Sequence, residues 1–318
     1  MLKQPLITLG VSCYNAEETI ARAVESALSQ SWSNKEIIVV DDASEDDSVA
    51  IIRELIRRHE NIKLYVNKNN LGIAAVRNKI IKYSNGGFIA FFDDDDDSDI
   101  NRIEFQYKRI KDYKKKWKVG NSIICHTARK VVYMDGTSSI EETVGCNTKR
   151  MSPNGARVAS NILIGTNLVD AYGSMATCSQ MADIKTYRDI GGFDENLRRQ
   201  EDTELNIRLA ILGCHFIGIS KPLVTQYLTA REDKNIQIEE DSTIYLLEKH
   251  KTFIEMRSSF SFIHRWTNLK FVVYRKKYVK FLIYFLILFF KYPLLTTKRL
   301  ILSLPNYKKN KKYFSDNR

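Results

Sequence analysis

From Leu6 to Phe92 the chain alternates short apolar runs with amphipathic stretches. Leu6–Cys13 is apolar with a β-branched bias and predicts a strand. Asn15, with Glu18 three residues on, has the form of a capping box for a helix whose inner face is Ile20, Val24, Ala27 and Leu28. Glu36–Val40 reads as a parallel strand buried on both faces. Val49, Ile52, Leu55 and Ile56 mark a second helix. Ile62–Val66 predicts a third strand and Ala74–Tyr83 a third helix. Gly86-Gly87 turns the chain into Phe88–Phe92, a strand that runs straight into Asp93–Asp97. Strands and helices in strict alternation predict a doubly wound, mostly parallel α/β sheet, with a ligand site along the carboxyl ends of its strands.

The pattern is more mixed over residues 120–190. Gly191-Gly192-Phe193-Asp194 predicts a turn, and Glu201–Gly213 a helix with Leu205, Leu209 and Leu212 inward. Beyond about residue 245 helix and positive charge dominate. Phe281–Phe290 is a ten-residue apolar run between Lys280 and Lys291, with Pro293 just beyond. A spanning helix needs about 20 residues. Nearby aromatics and flanking lysines favour a segment lying in a membrane interface over a buried helical cap.

Charge sharpens that contrast. Arg265–Arg318 carries 14 Lys and Arg against one acid, Asp316, so the remainder of a chain with total charge +11 is close to neutral. Such a tail suits an anionic membrane surface, and its apolar run serves nucleic acid poorly. The five cysteines form no CxxC pair and point to reduced thiols. None of the five histidines has ligand spacing. The N-terminal residues enter a strand without a signal peptide's apolar stretch and cleavage site.

Five adjacent carboxylates repel one another unless a cation is held among them. Mg²⁺ or Mn²⁺ takes hard oxygen ligands, often one or two from protein and the rest from phosphate and water. Aspartates at a strand end therefore suit a metal–diphosphate site. Asp93, Asp95, Asp97 and Glu104 also match calcium-loop positions, but Ser98 replaces the required glycine and a strand precedes the run where a helix is needed.

Four pieces, in order, resemble the family 2 glycosyltransferases of GT-A fold: Val11–Asn15, Val39–Ser44, Phe91–Asp96, and Gly191–Asp194 followed by Glu201-Asp202. The resemblance covers roughly residues 5 to 225 and implies the following roles. Ser12 and Tyr14 lie near the nucleotide base, and Asp42 accepts the uracil N–H. Ala43 stands where the family has Gly or Asn, a difference expected to matter little. Asn70-Leu71-Gly72 and Arg77-Asn78 shape the loop beside the nucleotide. Counting back from Arg102 sets the DxD on Asp93-Asp94-Asp95, to within one residue. Asp95 is then the principal metal ligand, Asp93 is close to the donor, and Asp94 is near the ribose. Asp202 is the general base, at a helix start whose dipole favours its ionised form. Glu201 supports it, and Gln180 lines the acceptor side.

This reading gives an inverting, Mn²⁺- or Mg²⁺-dependent transfer from a nucleotide-sugar, by family habit UDP-linked, to a saccharide hydroxyl. The acceptor is expected to be lipid-linked, in cell-surface polysaccharide synthesis at the cytoplasmic face of the inner membrane. Residues 1–100 form the nucleotide-sugar half, 101–228 the acceptor half and 229–318 a membrane-associating region. Two alternatives stay open: a non-catalytic nucleotide-sugar or saccharide-binding module, and a metal-dependent nucleotidyltransferase. The second lacks its usual Gly-rich basic loop, since Ser12–Glu18 has neither Gly nor a basic residue.

Overall fold

The computed structural model describes residues 4–120, 122–228 and 236–302. It divides into two compact units, one of residues 1–156 and 169–228 and one of 157–168 and 229–318.

In the first unit β1 (Ile7–Cys13), α1 (Ile20–Leu28), β2 (Lys35–Asp41), α2 (Ser48–Arg58), β3 (Ile62–Val66), α3 (Ile73–Tyr83) and β4 (Phe88–Asp93) follow in the predicted order. Then come β5 (Asp97–Ser98), α4 (Arg102–Trp117), β6 (Ile123–Val132) and β7 (Ser138–Glu141). After α5 (Ala156–Ile164) the chain continues with β8 (Met181–Asp183), α6 (Ile184–Asp189), α7 (Glu201–Ile211) and β9 (His215–Tyr227).

One sheet runs β3-β2-β1-β4-β8-β6-β9-β5, with β7 beside β6. Its first four strands are all parallel. Beyond β4 it is mixed: β8 is antiparallel to both neighbours, whereas β6 and β9 are parallel. Every residue of β1 is buried, as the unbroken apolar run requires of a central strand. The main core cluster joins β1, β2 and β4 to Ile20, Val24, Ile52, Ile103 and Ile110. Glu36 on β2 is a buried charge beside it; its carboxylate accepts from Thr8 Oγ1 at 2.7 Å, Asn85 N at 2.6 Å and Lys63 Nζ at 3.2 Å.

Two local readings differ. No capping box forms at Asn15, because α1 starts at Ile20. Asn15 has φ 46°, and its Oδ1 accepts instead from Glu45 N at 2.9 Å, tying the loops after β1 and β2 together. Leu212 lies beyond the end of α7 and is 65% exposed.

The second unit holds α8 (Ile236–Lys249), α9 (Lys251–Glu255), α10 (Phe260–Tyr274) and α11 (Tyr278–Lys291), with a helical stretch over 293–302. The break at Tyr292 falls just before Pro293, which cannot continue the hydrogen-bond ladder. Phe262 meets Tyr292 edge-on at 5.6 Å, and Arg299 donates to Ile164 O, joining 157–168 to the last helical stretch. Among the described residues no helix is long and apolar enough to cross a membrane. The last lysines of the basic tail, Lys308–Lys312, lie outside the described residues.

Candidate active site

Parallel pairing of β1, β2 and β4 brings their carboxyl ends to one edge. Ser12 sits opposite Asp93, and Cys13 opposite Asp41. Ser12 Oγ donates to Asp93 Oδ1 at 3.4 Å. Tyr14 N donates to Asp94 Oδ2 at 2.9 Å, so the buried Asp94 carboxylate fastens the first loop to the end of β4. The Tyr14 side chain is 42% exposed.

Asp42 is buried, and both of its oxygens accept hydrogen bonds. Oδ1 accepts from Asn67 Nδ2 at 2.6 Å and Leu71 N at 2.9 Å, and Oδ2 accepts from Gly72 N at 2.7 Å. Gly72 has φ +92°, open to glycine and costly for other residues. Asp42 thus holds the Asn70–Gly72 loop against the end of β2. Ala43 beside it has φ 63°, the left-handed conformation that Gly or Asn adopts more readily; the substitution therefore carries a strain that its small size conceals.

Arg77 on α3 joins the two sides of the site. It is buried, donates from Nη1 to Glu201 Oε1 at 2.6 Å and from Nη2 to Asp93 Oδ1 at 3.1 Å, and lies 5.5 Å over the Phe193 ring. Burial would discharge the guanidinium, but Asp93 and Glu201 hold its pKa above the ordinary value. Glu201 is pushed up by burial and by Asp202 beside it, while Arg77 pulls it down; the short bond to a permanently charged partner keeps this pair ionic. Asp202, half-buried in the first turn of α7, accepts at Oδ1 from Thr203 N at 2.6 Å and Thr203 Oγ1 at 3.2 Å.

The turn before α7 is fitted to α3. Asn78 Nδ2 donates to Phe193 O at 2.9 Å, and Asn78 Oδ1 accepts from Phe193 N at 2.7 Å. A Cβ on Gly192 would stand 2.2 Å from Asn78 Oδ1, and its φ is +71°, so both space and backbone demand glycine there.

Within the aspartate run burial alternates, with Asp94 and Asp96 inward and Asp93, Asp95 and Asp97 half-buried. Asp95 O accepts from Arg22 Nη2 at 2.8 Å, and the Arg22 guanidinium stacks 4.4 Å from the Tyr227 ring. Asp96 is 5% exposed, and neither carboxylate oxygen has a hydrogen-bond partner. Burial, then Asp93 and Asp95, push its pKa well up. Ligand atoms of Asp93, Asp96 and Cys178 lie within 4.8 Å of one another. An orphaned buried carboxylate beside a second one is what a hard cation would satisfy, so these residues fit a divalent metal. The Cys178 thiol, driven up by burial and by Asp96, is a soft neighbour for such an ion. Asp95, singled out from the sequence, is outside this group; Asp96 and Cys178 join Asp93 through tertiary packing. Five identical residues in a row carry no signal that would single out Asp96, and nothing local pointed to Cys178.

Arg102, the basic residue that set the aspartate register, is buried under the site. It donates from Nη2 to Phe91 O at 2.9 Å and from Nη1 to Ser98 Oγ at 3.0 Å, bracketing the run at both ends. Gln180 is fully buried. Its Nε2 donates to Asn206 Oδ1 at 3.1 Å and Met175 O at 3.3 Å, and its Oε1 accepts from Tyr187 at 3.1 Å. It braces Met175, Asn206 and Tyr187 against one another within the second half.

The family model described as Glycosyl transferase family 2 matches residues 8–185. The chain is 35% identical over 206 residues to the putative glycosyltransferase EpsE of Bacillus subtilis, covering 64% of this chain and 66% of that protein. It is 39% identical over 101 residues to WfgD of Escherichia coli, described as a UDP-Glc:alpha-D-GlcNAc-diphosphoundecaprenol beta-1,3-glucosyltransferase, covering 32% of this chain and 39% of WfgD. The chain spans between 17% and 66% of the length of the first curated relatives it matches. In structure it is similar to residues 1–349 of S. aureus TarS, solved with UDP and with UDP-GlcNAc. The TM-score is 0.57 for both, at 17% and 16% identity, covering 84% of this chain and 72% and 80% of those 1–349 chains.

Proposed function

Since the chain belongs to glycosyl transferase family 2, we propose that it transfers a sugar from a UDP-linked donor to a hydroxyl of a lipid-linked saccharide, with inversion at the anomeric carbon. The observation that carries this reading is the Arg77 bridge, which sets the aspartates at the end of β4 and the Glu201-Asp202 pair at one site. The donor class draws support from TarS structures that hold UDP and UDP-GlcNAc, and the acceptor class from the diphosphoundecaprenol-linked acceptor in the description of WfgD.

In this mechanism Asp202 Oδ2 takes the proton of the acceptor hydroxyl, while Oδ1 stays on Thr203 N and keeps the carboxylate oriented. Glu201, fixed by Arg77, holds the start of α7 in place. Ser12, Tyr14 and Asp94 shape the nucleotide side, with Asp42 stiffening the loop beside it. Asp93 and Asp96 would hold Mg²⁺ or Mn²⁺ between their carboxylates, with Asp95 next to them as the further ligand that the family pattern implies; when bound, the ion would neutralise charge on the departing diphosphate.

Calorimetry of UDP with and without Mn²⁺ tests the donor site on the wild type and on Asp95→Ala and Asp96→Ala. Metal-dependent binding lost in at least one variant is the expected result. Absence of UDP binding in every condition, with GDP and TDP also inert, would overturn the reading in favour of a module without a donor.

A further inference from the structure

Helix α11 has an apolar surface on its outside as well as its inside. Phe281, Phe285 and Phe289 follow one another at i, i+4 and i+8 with ring centroids 5.8 and 6.3 Å apart; they and the buried Leu288 are the less exposed side. The opposite side carries Val279, Leu282, Ile283, Leu286, Ile287 and Phe290, between 44% and 78% exposed. Leu294 and Ile301 extend the surface at 85% and 63% exposed. A continuous apolar strip of this length is not how a helix meets water; it marks a surface that something else covers.

Charge identifies the cover. Lys276, Lys277 and Lys280 stand at one end of α11, Lys291 at the other and Lys298 beyond, all exposed. Between Glu255 and Asp316 the sequence has no acidic residue. A second copy of the chain would bring equal positive charge against this face, whereas an anionic bilayer offers hydrocarbon to the leucines and phosphate to the lysines. The 14-residue helix is about 21 Å long, against a hydrocarbon core of about 30 Å, so it suits lying in the interface rather than crossing.

We propose that α11 is a peripheral membrane anchor that lies in the headgroup region of an anionic bilayer with Leu282, Ile283, Leu286 and Phe290 inserted. The inference rests on the second unit alone, so its test is separate from that of sugar transfer.

The full chain is floated on a density gradient with vesicles of phosphatidylcholine alone, and with vesicles containing about one third phosphatidylglycerol. Flotation with the anionic vesicles is expected. Leu286→Ser with Phe290→Ser should abolish it, and the Lys276→Glu, Lys277→Glu, Lys280→Glu triple variant should weaken partition on the order of a hundredfold. Lys115→Glu, a charge reversal on the exposed side of α4, should leave it unchanged. Because the altered positions are exposed, circular dichroism should show the wild-type fold. A wild-type chain that stays in the soluble fraction overturns the proposal. So does flotation unaffected by both sets of substitutions, or a concentration-dependent dimer lost in the Leu286→Ser, Phe290→Ser chain without flotation of the wild type.

Discussion

Arg77 and Glu201 are 124 residues apart in sequence, and their side chains meet at 2.6 Å in the interior. Arg77→Ala would leave Glu201 buried beside Asp202 without its counter-charge. A loss of about 3–5 kcal/mol in urea unfolding is expected. Arg77→Lys should recover only part of it, because a single ammonium cannot reproduce the two-pronged contact to Glu201 and Asp93. Equal stability of the wild type and the alanine variant would show that the bridge is dispensable.

Asp202 makes its visible hydrogen bonds within its own turn, so its removal should spare the fold. Asp202→Asn is expected to lower kcat by roughly two to four orders of magnitude while leaving UDP affinity within a factor of about two. Steady-state kinetics and calorimetry on one preparation separate these effects; loss of nucleotide binding would assign the residue to the donor side.

Ala43 holds a left-handed backbone at φ 63°. Ala43→Gly removes a steric cost of about 1–2 kcal/mol, partly offset by the greater freedom of glycine in the unfolded chain. A net gain of up to about 1 kcal/mol is expected in thermal or urea unfolding. A loss would mean that the Ala43 methyl contributes more by contact than it costs in strain.

His126 on β6 is wholly buried, with neither ring nitrogen in a hydrogen bond; burial, against a backbone contact at Met175, pushes its pKa down to about 3. The unfolded chain binds this proton near pH 6.5, and the folded chain resists it until about pH 3. The neutral ring's contribution is therefore complete above pH 6.5 and is lost as pH falls between those values, at about 1.4 kcal/mol per pH unit. His126→Leu should lose about 2 kcal/mol less than the wild type between pH 7 and pH 5, measured by urea unfolding at each pH. Parallel pH profiles would show that the ring protonates in the folded state.

Much of the first half was legible because its signals are local. The apolar runs at Leu6–Cys13 and Glu36–Val40 and the periodic helices between them each state their own geometry within a few residues. Acids at the start of α7 and proline after Tyr292 likewise act on the backbone next to them. The burial of Gln180 and the exposure of Leu212 were not legible for the opposite reason. Whether an amide faces a cleft or a wall, and whether a helix runs one turn further, depends on packing against elements distant in sequence.

The sequence by itself determined the parallel arrangement of β1 to β4, the gathering of carboxylates at the end of β4, and a basic, apolar tail. Only the tertiary structure decided which carboxylates turn inward, that Asp96 and Cys178 join Asp93, that residues 157–168 group with the C-terminal unit, and that Arg77 ties Asp93 to Glu201. The division has one physical cause. Backbone preference and hydrophobic period are properties of neighbours along the chain, whereas desolvation and ion pairing depend on the three-dimensional surroundings that folding alone assembles.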